Sequence, residues 1–279
     1  MKWSRLAFSL IICGLQASAD GFGRIVPQLE ACISGDELSK FENYAINAAH
    51  QTFKPNPRCW AKKLDVSSCS IWNSNNQGHP TGTLITPRHV IFATHYPMTG
   101  VQQLTFFSRA GQSYARKLVS TKSLEYVSGT VPDLSVGLLD EAIPTNAILP
   151  AYILPGNFTN YLSDTQENLP AVWLNQHKEV CLWEVSPLKG NGQVVLFPPK
   201  HERFKAYAKG IIYYDSGSPV YWFIDGRPVL LTVWTRGSGN NGVGTSVAEY
   251  ADAVNRLIEE LSPGEGYKLQ TFECGGAVL

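Results

Sequence analysis

The chain has 279 residues and no net charge (23 Lys+Arg against 23 Asp+Glu), with 16% charged and 44% hydrophobic residues. That balance belongs to a folded globular protein and argues against a nucleic-acid-coating one, since no basic stripe exists to neutralise phosphates. Gly 24, Pro 17 and 11% aromatic residues point to short, bulky strands between many turns, with length enough for one large or two small domains.

At the N-terminus, Lys2 and Arg5 precede the apolar stretch Leu6 to Leu15, and Ala17-Ser18-Ala19 follows as a small-residue cleavage pattern. Residues 1–19 therefore read as a signal peptide, and the exported chain as beginning at Asp20. No apolar run reaches the ~18 residues that cross a bilayer, so no membrane role is expected. Residues 20–67 form a lead-in with one expected helix: Ser34 and Glu37 make a capping box, and Leu38, Phe41, Tyr44, Ala45 and Ala48 recur at helical spacing. Beyond Cys13, the cysteines are Cys32, Cys59, Cys69, Cys181 and Cys274, an odd number that leaves at least one unpaired within the chain. Cys59 and Cys69, flanking a short polar stretch, are the preferred disulfide, and Cys181 sits in an apolar run as a small hydrophobe.

From about residue 68 the pattern turns to strands. Thr83 to Thr86, Val90 to Ala93, Leu104 to Phe107 and Leu134 to Leu139 form a first series. Ala171 to Leu174, Val180 to Val185, Gln193 to Phe197, Ile211 to Tyr213, Val220 to Ile224 and Val229 to Trp234 form a second. Asp225-Gly226 between the last two strands is a two-residue hairpin signal. Pro144 to Leu169 reads as a crossing between two domains. Ser246 and Glu249 then suggest a capped terminal helix with Val247, Tyr250, Ala251, Val254, Leu257, Ile258 and Leu261 on one face, stopped by Pro263-Gly264.

Three segments carry chemistry. His95 ends the run Gly82 to His95 (GTLITPRHVIFATH), Asp133 precedes the apolar run Leu134 to Leu139, and Ser216 lies in Asp215-Ser216-Gly217-Ser218-Pro219. Singly, each has a plain explanation: a satisfied histidine, a turn aspartate and a loop. Neither the neighbouring His79 and His89 nor any cysteine has metal-ligand spacing, and no GxSxG, P-loop or dinucleotide motif is present, so neither metal nor cofactor is expected.

In the order His, Asp, Ser, the three segments resemble the "TAAH", "DIALL" and "GDSGGP" blocks of the trypsin-like serine protease family, in a form closest to secreted bacterial members. The resemblance covers roughly residues 68–261. It implies an all-β fold of two six-stranded antiparallel barrels, residues 68–155 and 156–262, with the C-terminal helix, a helical lead-in before them and a tail from 263. It also implies His95 as general base, Asp133 as its orienting partner and Ser216 as nucleophile, with backbone N–H groups of Tyr214 and Ser216 as the oxyanion hole. Gly210, Thr235, Arg236 and Gly237 fall where the family forms its substrate pocket, and the expected partner is a protein or peptide substrate, bound by a monomer.

The chain departs from the family at several places. Tyr214 replaces a glycine held at positive φ, which predicts a flipped peptide in the free protein. Tyr96 stands where a cysteine usually follows the histidine, and Gly210 where trypsin carries its pocket aspartate. Arg24-Ile25-Val26 resembles an activation site, but Pro27 and its distance from His95 make coincidence the better reading, leaving Asp215 to an internal partner. Two other readings remain: a protease-like binding module disabled at Tyr214, and a β-sandwich adhesion or carbohydrate-binding domain.

Overall fold

A computed structural model describes residues 25–33, 41, 44–47, 52–73, 80–127, 130–158, 168–186, 188–238 and 241–273. The elements run α1 (Ile25–Cys32), β1 (Tyr44–Asn47), β2 (Thr52–Pro55), β3 (Trp72–Asn73), β4 (Thr83–Thr86), β5 (His89–Phe92), β6 (Gln103–Phe107), β7 (Ser113–Ser123), β8 (Ser135–Leu139) and β9 (Tyr152–Ile153). Then come β10 (Leu169–Leu174), β11 (Val180–Val185), β12 (Gln193–Phe197), α2 (Glu202–Lys205), β13 (Pro219–Ile224), β14 (Arg227–Ser238), β15 (Asn241–Thr245) and α3 (Ala251–Leu261). The chain is all-β with few helices, as the resemblance implies.

The strands form two barrels. In the first, the order is β3-β6-β7-β8-β5-β4, and residues 68–71 bring the open edges together: Ser70 N–H donates to Gly82 O at 2.9 Å and Leu84 N–H to Ser68 O at 2.7 Å. In the second, β13-β10-β11-β12-β15-β14 closes through the β13–β14 pairing, with β9 added in parallel beside β14. Because each sheet closes on itself, the β-sandwich reading is corrected. Leu84, Val90, Phe92, Leu104, Phe106 and Leu139 fill the first barrel. The second is centred on Trp173, Trp183 and Trp234, stacked edge-on with centroids 5.2–6.2 Å apart.

Several elements depart from their sequence pattern. Ser113–Ser123 is a strand that polarity concealed, because most of it is exposed and only its pairing with β6 and β8 holds it. Asn241–Thr245 is a strand despite two glycines. A Cβ at Gly242 would fall within the Trp234 ring, so the indole in the core requires a bare backbone opposite it. Ile211 to Tyr213, expected as a strand, forms no ladder and leads into a turn. The expected Asp225-Gly226 turn is present, both residues at positive φ (50° and 77°), as a tight right-twisted hairpin requires.

The lead-in is helical, but the helix is α1 rather than a span starting at Ser34. Tyr44–Asn47 pairs with Thr52–Pro55 as a hairpin, while Ser34, Glu37, Leu38 and Ala48 lie outside the described residues. The Cys59–Cys69 disulfide is also corrected. Cys69 is a buried free thiol with its Sγ 3.5 Å from Ser70 O, and Cys59 Sγ faces Phe41 O at 3.8 Å. Cys181 is likewise a buried free thiol, and Cys274 and the segment 1–19 lie outside the described residues. Helix α3 starts at Ala251, later than the Ser246/Glu249 box suggested; Glu249 instead accepts the Gly192 N–H at 2.7 Å. It buries Val254, Leu257, Ile258 and Leu261 and packs on β7 and β8 of the first barrel. Among the described residues no helix is long and apolar enough to cross a membrane.

Candidate active site

Strand pairing explains how His95 and Asp133 meet. Antiparallel β5 and β8 place Phe92 opposite Ser135, so the residues after Phe92 and those before Ser135 leave the sheet at the same end. There the His95 N–H donates to Asp133 Oδ1 at 2.9 Å, and His95 Nδ1 lies 2.6 Å from Asp133 Oδ2. Asp133 is fully buried and its own N–H donates to Thr245 Oγ1 at 2.9 Å, which ties this corner of the first barrel to β15 of the second. Both carboxylate oxygens are thus engaged by one histidine, which fixes the ring and its tautomer.

Ser216 comes from the second barrel, in the turn before β13. Gly217 N–H donates to Trp234 O and Trp234 N–H to Ser218 O, both at 2.9 Å, locking this turn to β14. Ser216 Oγ lies 2.8 Å from His95 Nε2. A hydroxyl, an imidazole and a buried carboxylate are therefore in hydrogen-bond sequence across the junction of the two barrels, the arrangement by which a base can take a hydroxyl proton as the oxygen attacks.

The turn ahead of Ser216 is held from below. Asp215 Oδ2 accepts the Ile212 N–H at 2.7 Å and Oδ1 the Gln176 N–H at 2.8 Å. Burial raises the Asp215 carboxyl above its usual range, against those two bonds and the nearby Lys178. Lys178 is itself buried, donates through Nζ to Thr81 Oγ1 of the first barrel, and has its pKa lowered by burial while Cys69 and Asp215 act to raise it. Burial pushes the Cys69 thiol to about 11. These are the internal partners of Asp215 that the sequence left unnamed; no motif marks Lys178, which sits in a polar turn. Ile25, by contrast, is buried in α1.

Tyr214 takes φ 76°, the left-handed conformation that a bulky side chain disfavours. Its ring stacks on Tyr96 (6.0 Å, 28°) and meets Tyr213 edge-on (4.8 Å, 85°). The Tyr213 carbonyl accepts from Gln176 Nε2 at 2.7 Å. The flipped peptide predicted from the sequence is therefore corrected: contacts on the ring and a bond to the carbonyl offset the backbone cost.

A cleft of about 580 Å³ opens over these groups, lined by His95, Tyr96, Ile211 to Ser216, Trp234, Arg236 and Gly237. Of the four expected pocket residues, Arg236 and Gly237 line it. Gly210 is exposed with nothing within 4 Å of its Cβ position, and Thr235 is buried with no partner for its hydroxyl among the described residues. Ile211 Cδ1 would be 2.5 Å from a Cβ on Gly237, so the isoleucine fills space the glycine leaves. Tyr96, Ile211, Ile212 and Tyr213 also line the cleft and were not singled out as site residues: Ile211 to Tyr213 read as a strand, and Tyr96 only as a replaced cysteine. His89 is spoken for elsewhere, between Thr86 Oγ1 (2.8 Å) and Ser262 Oγ (3.2 Å), and His79 lies outside the described residues.

No protein-family profile matches the chain, and no curated protein sequence does either. Among solved structures it is similar to a mutant of human heparin binding protein, with a TM-score of 0.51 and 17% identity over 71% of this chain and 93% of that one. At that identity the likeness is one of fold, the double barrel of the trypsin-like proteins.

Proposed function

We propose that the protein is a secreted serine endopeptidase that cleaves peptide bonds through an acyl-enzyme intermediate. The observation that carries this is the unbroken contact from Asp133 Oδ2 through His95 to Ser216 Oγ, at 2.6 and 2.8 Å. Ser216 Oγ attacks the scissile carbonyl as its proton passes to His95 Nε2, and Asp133 stabilises the imidazolium. The N–H groups of Tyr214 and Ser216, which have no acceptor among the described residues, receive the developing oxyanion. His95 then protonates the leaving amine, and water, activated by the same histidine, releases the acyl group from Ser216. The leader-like residues 1–19 support export.

The cleft favours an uncharged, modest side chain before the scissile bond. Ile211 occupies space beside Gly237, and Arg236 is an exposed cation on the lining. A Lys or Arg side chain there would be buried unpaired, which is costly.

A second reading, a protease-like binding module, draws on Tyr214 standing where the family keeps glycine. Digestion of a peptide library, read by mass spectrometry, separates the two. The protease reading expects cleavage after uncharged residues that Ser216→Ala abolishes. Absence of cleavage by wild type, or cleavage that persists in Ser216→Ala, would favour the binding module or another nucleophile.

A further inference from the structure

The geometry points to Gln176 as a positioning residue that sets the oxyanion hole, an inference resting on the peptide-cleavage reading above. Gln176 grips the segment before Ser216 twice. Its backbone N–H donates to Asp215 Oδ1 at 2.8 Å, and its side-chain Nε2 donates to Tyr213 O at 2.7 Å. In a trans peptide the C=O and N–H point to opposite sides, so fastening the Tyr213 carbonyl to Gln176 sends the Tyr214 N–H the other way. Turning the peptide over would break this bond and carry the carbonyl away from the amide.

The turn that carries Gln176 is itself rigid. Asn175 Oδ1 accepts from the N–H groups of His177 (2.9 Å) and Glu179 (3.0 Å), Asn175 Nδ2 donates to Glu179 Oε2 (2.6 Å), and Lys178 N–H returns to Asn175 O (2.8 Å). Glu179 in turn pairs with Lys209, and Lys178 reaches across to Thr81. The amide is thus presented from a braced loop, and its bond is made to the peptide whose orientation decides whether a hole exists. A group of this kind acts on the transition state and leaves ground-state binding alone, because the oxyanion charge develops only during attack.

The test compares wild type with Gln176→Met, which keeps the length but loses the donor, and Gln176→Glu, which at neutral pH presents only acceptors to the Tyr213 carbonyl. Gln176→Met is expected to lower kcat about tenfold with KM unchanged, and Gln176→Glu to lower it further at pH 8, with its kcat relative to wild type at the same pH recovering as the new carboxyl protonates. A crystal structure of free Gln176→Met is expected to show Tyr214 at negative φ. Tyr214 retaining its positive φ in that variant would overturn the inference, whatever happens to kcat. If wild type itself cleaves nothing, the protease reading fails instead, and the backbone conformation in Gln176→Met still decides the role of the amide.

Discussion

Replacing Tyr214 separates two opposing terms that the structure places on one residue. At φ 76° a side chain costs about 1–2 kcal/mol. Against this stand the ring contacts with Tyr96 and Tyr213, about 0.5–1.5 kcal/mol each. Tyr214→Ala keeps the strain and loses both contacts, shifting the balance toward a flipped peptide by about 1–3 kcal/mol, which is about fivefold to a hundredfold in the population of the formed hole and at least about tenfold at the middle of that range. Tyr214→Gly loses the same contacts but also the strain, so the two changes nearly cancel and the hole stays within about threefold of wild type. The expected order of second-order labelling rates with a fluorophosphonate, whose phosphoryl oxygen occupies the hole, is wild type close to Gly and Ala at least about tenfold slower. Equal rates for Ala and Gly would show that strain at positive φ does not govern this peptide, equal rates for wild type and Ala would show that stacking does not, and either result would overturn the energetic account of Tyr214.

Other outcomes follow from groups outside the triad. His89 is buried and its pKa lowered to about 4 by burial first and Arg88 second, against Glu265. Folding therefore disfavours its protonation: the stability it contributes is intact above about pH 6.5 and is lost as pH falls toward 4, by up to about 3 kcal/mol. Urea midpoints at pH 7 and pH 5 should differ in wild type and converge in His89→Asn; an unchanged difference in the variant would contradict the assignment. Gly242→Ala places a methyl inside the Trp234 ring and should lower Tm severely or prevent folding. Gly226→Ala, at positive φ with open space around it, should cost only about 1–2 kcal/mol. Similar melting temperatures for the two would refute the packing described around Trp234.

Strands whose residues are all buried, such as Val180–Val185, were legible because an unbroken apolar run between turns has few alternatives. Ser113–Ser123 was not, since its pairing is set by neighbours distant in sequence and most of its side chains face solvent. The Tyr44–Asn47 strand was masked by apolar spacing that also fits a helix, and a hairpin partner decided the matter. At the site, His95, Asp133 and Ser216 could be picked out only because their three segments, in that order, resemble the family's blocks; singly each has a plain explanation. The groups that support them could not: Gln176 and Lys178 act through the Tyr213 carbonyl and a buried carboxylate, and nothing in a polar turn announces such contacts. Gly210 came only from the family resemblance, with no cysteine to anchor its loop, and the structure leaves it exposed outside the cleft lining.

The central claim is that Ser216 is a nucleophile activated by His95. Its most direct measurement is incubation of the purified protein with a fluorophosphonate, followed by peptide mapping of the adduct. The account predicts one adduct per chain, located on Ser216 and lost in Ser216→Ala and in His95→Ala, while both variants retain the wild-type melting profile. An adduct on another residue, or undiminished labelling of folded Ser216→Ala, would contradict it.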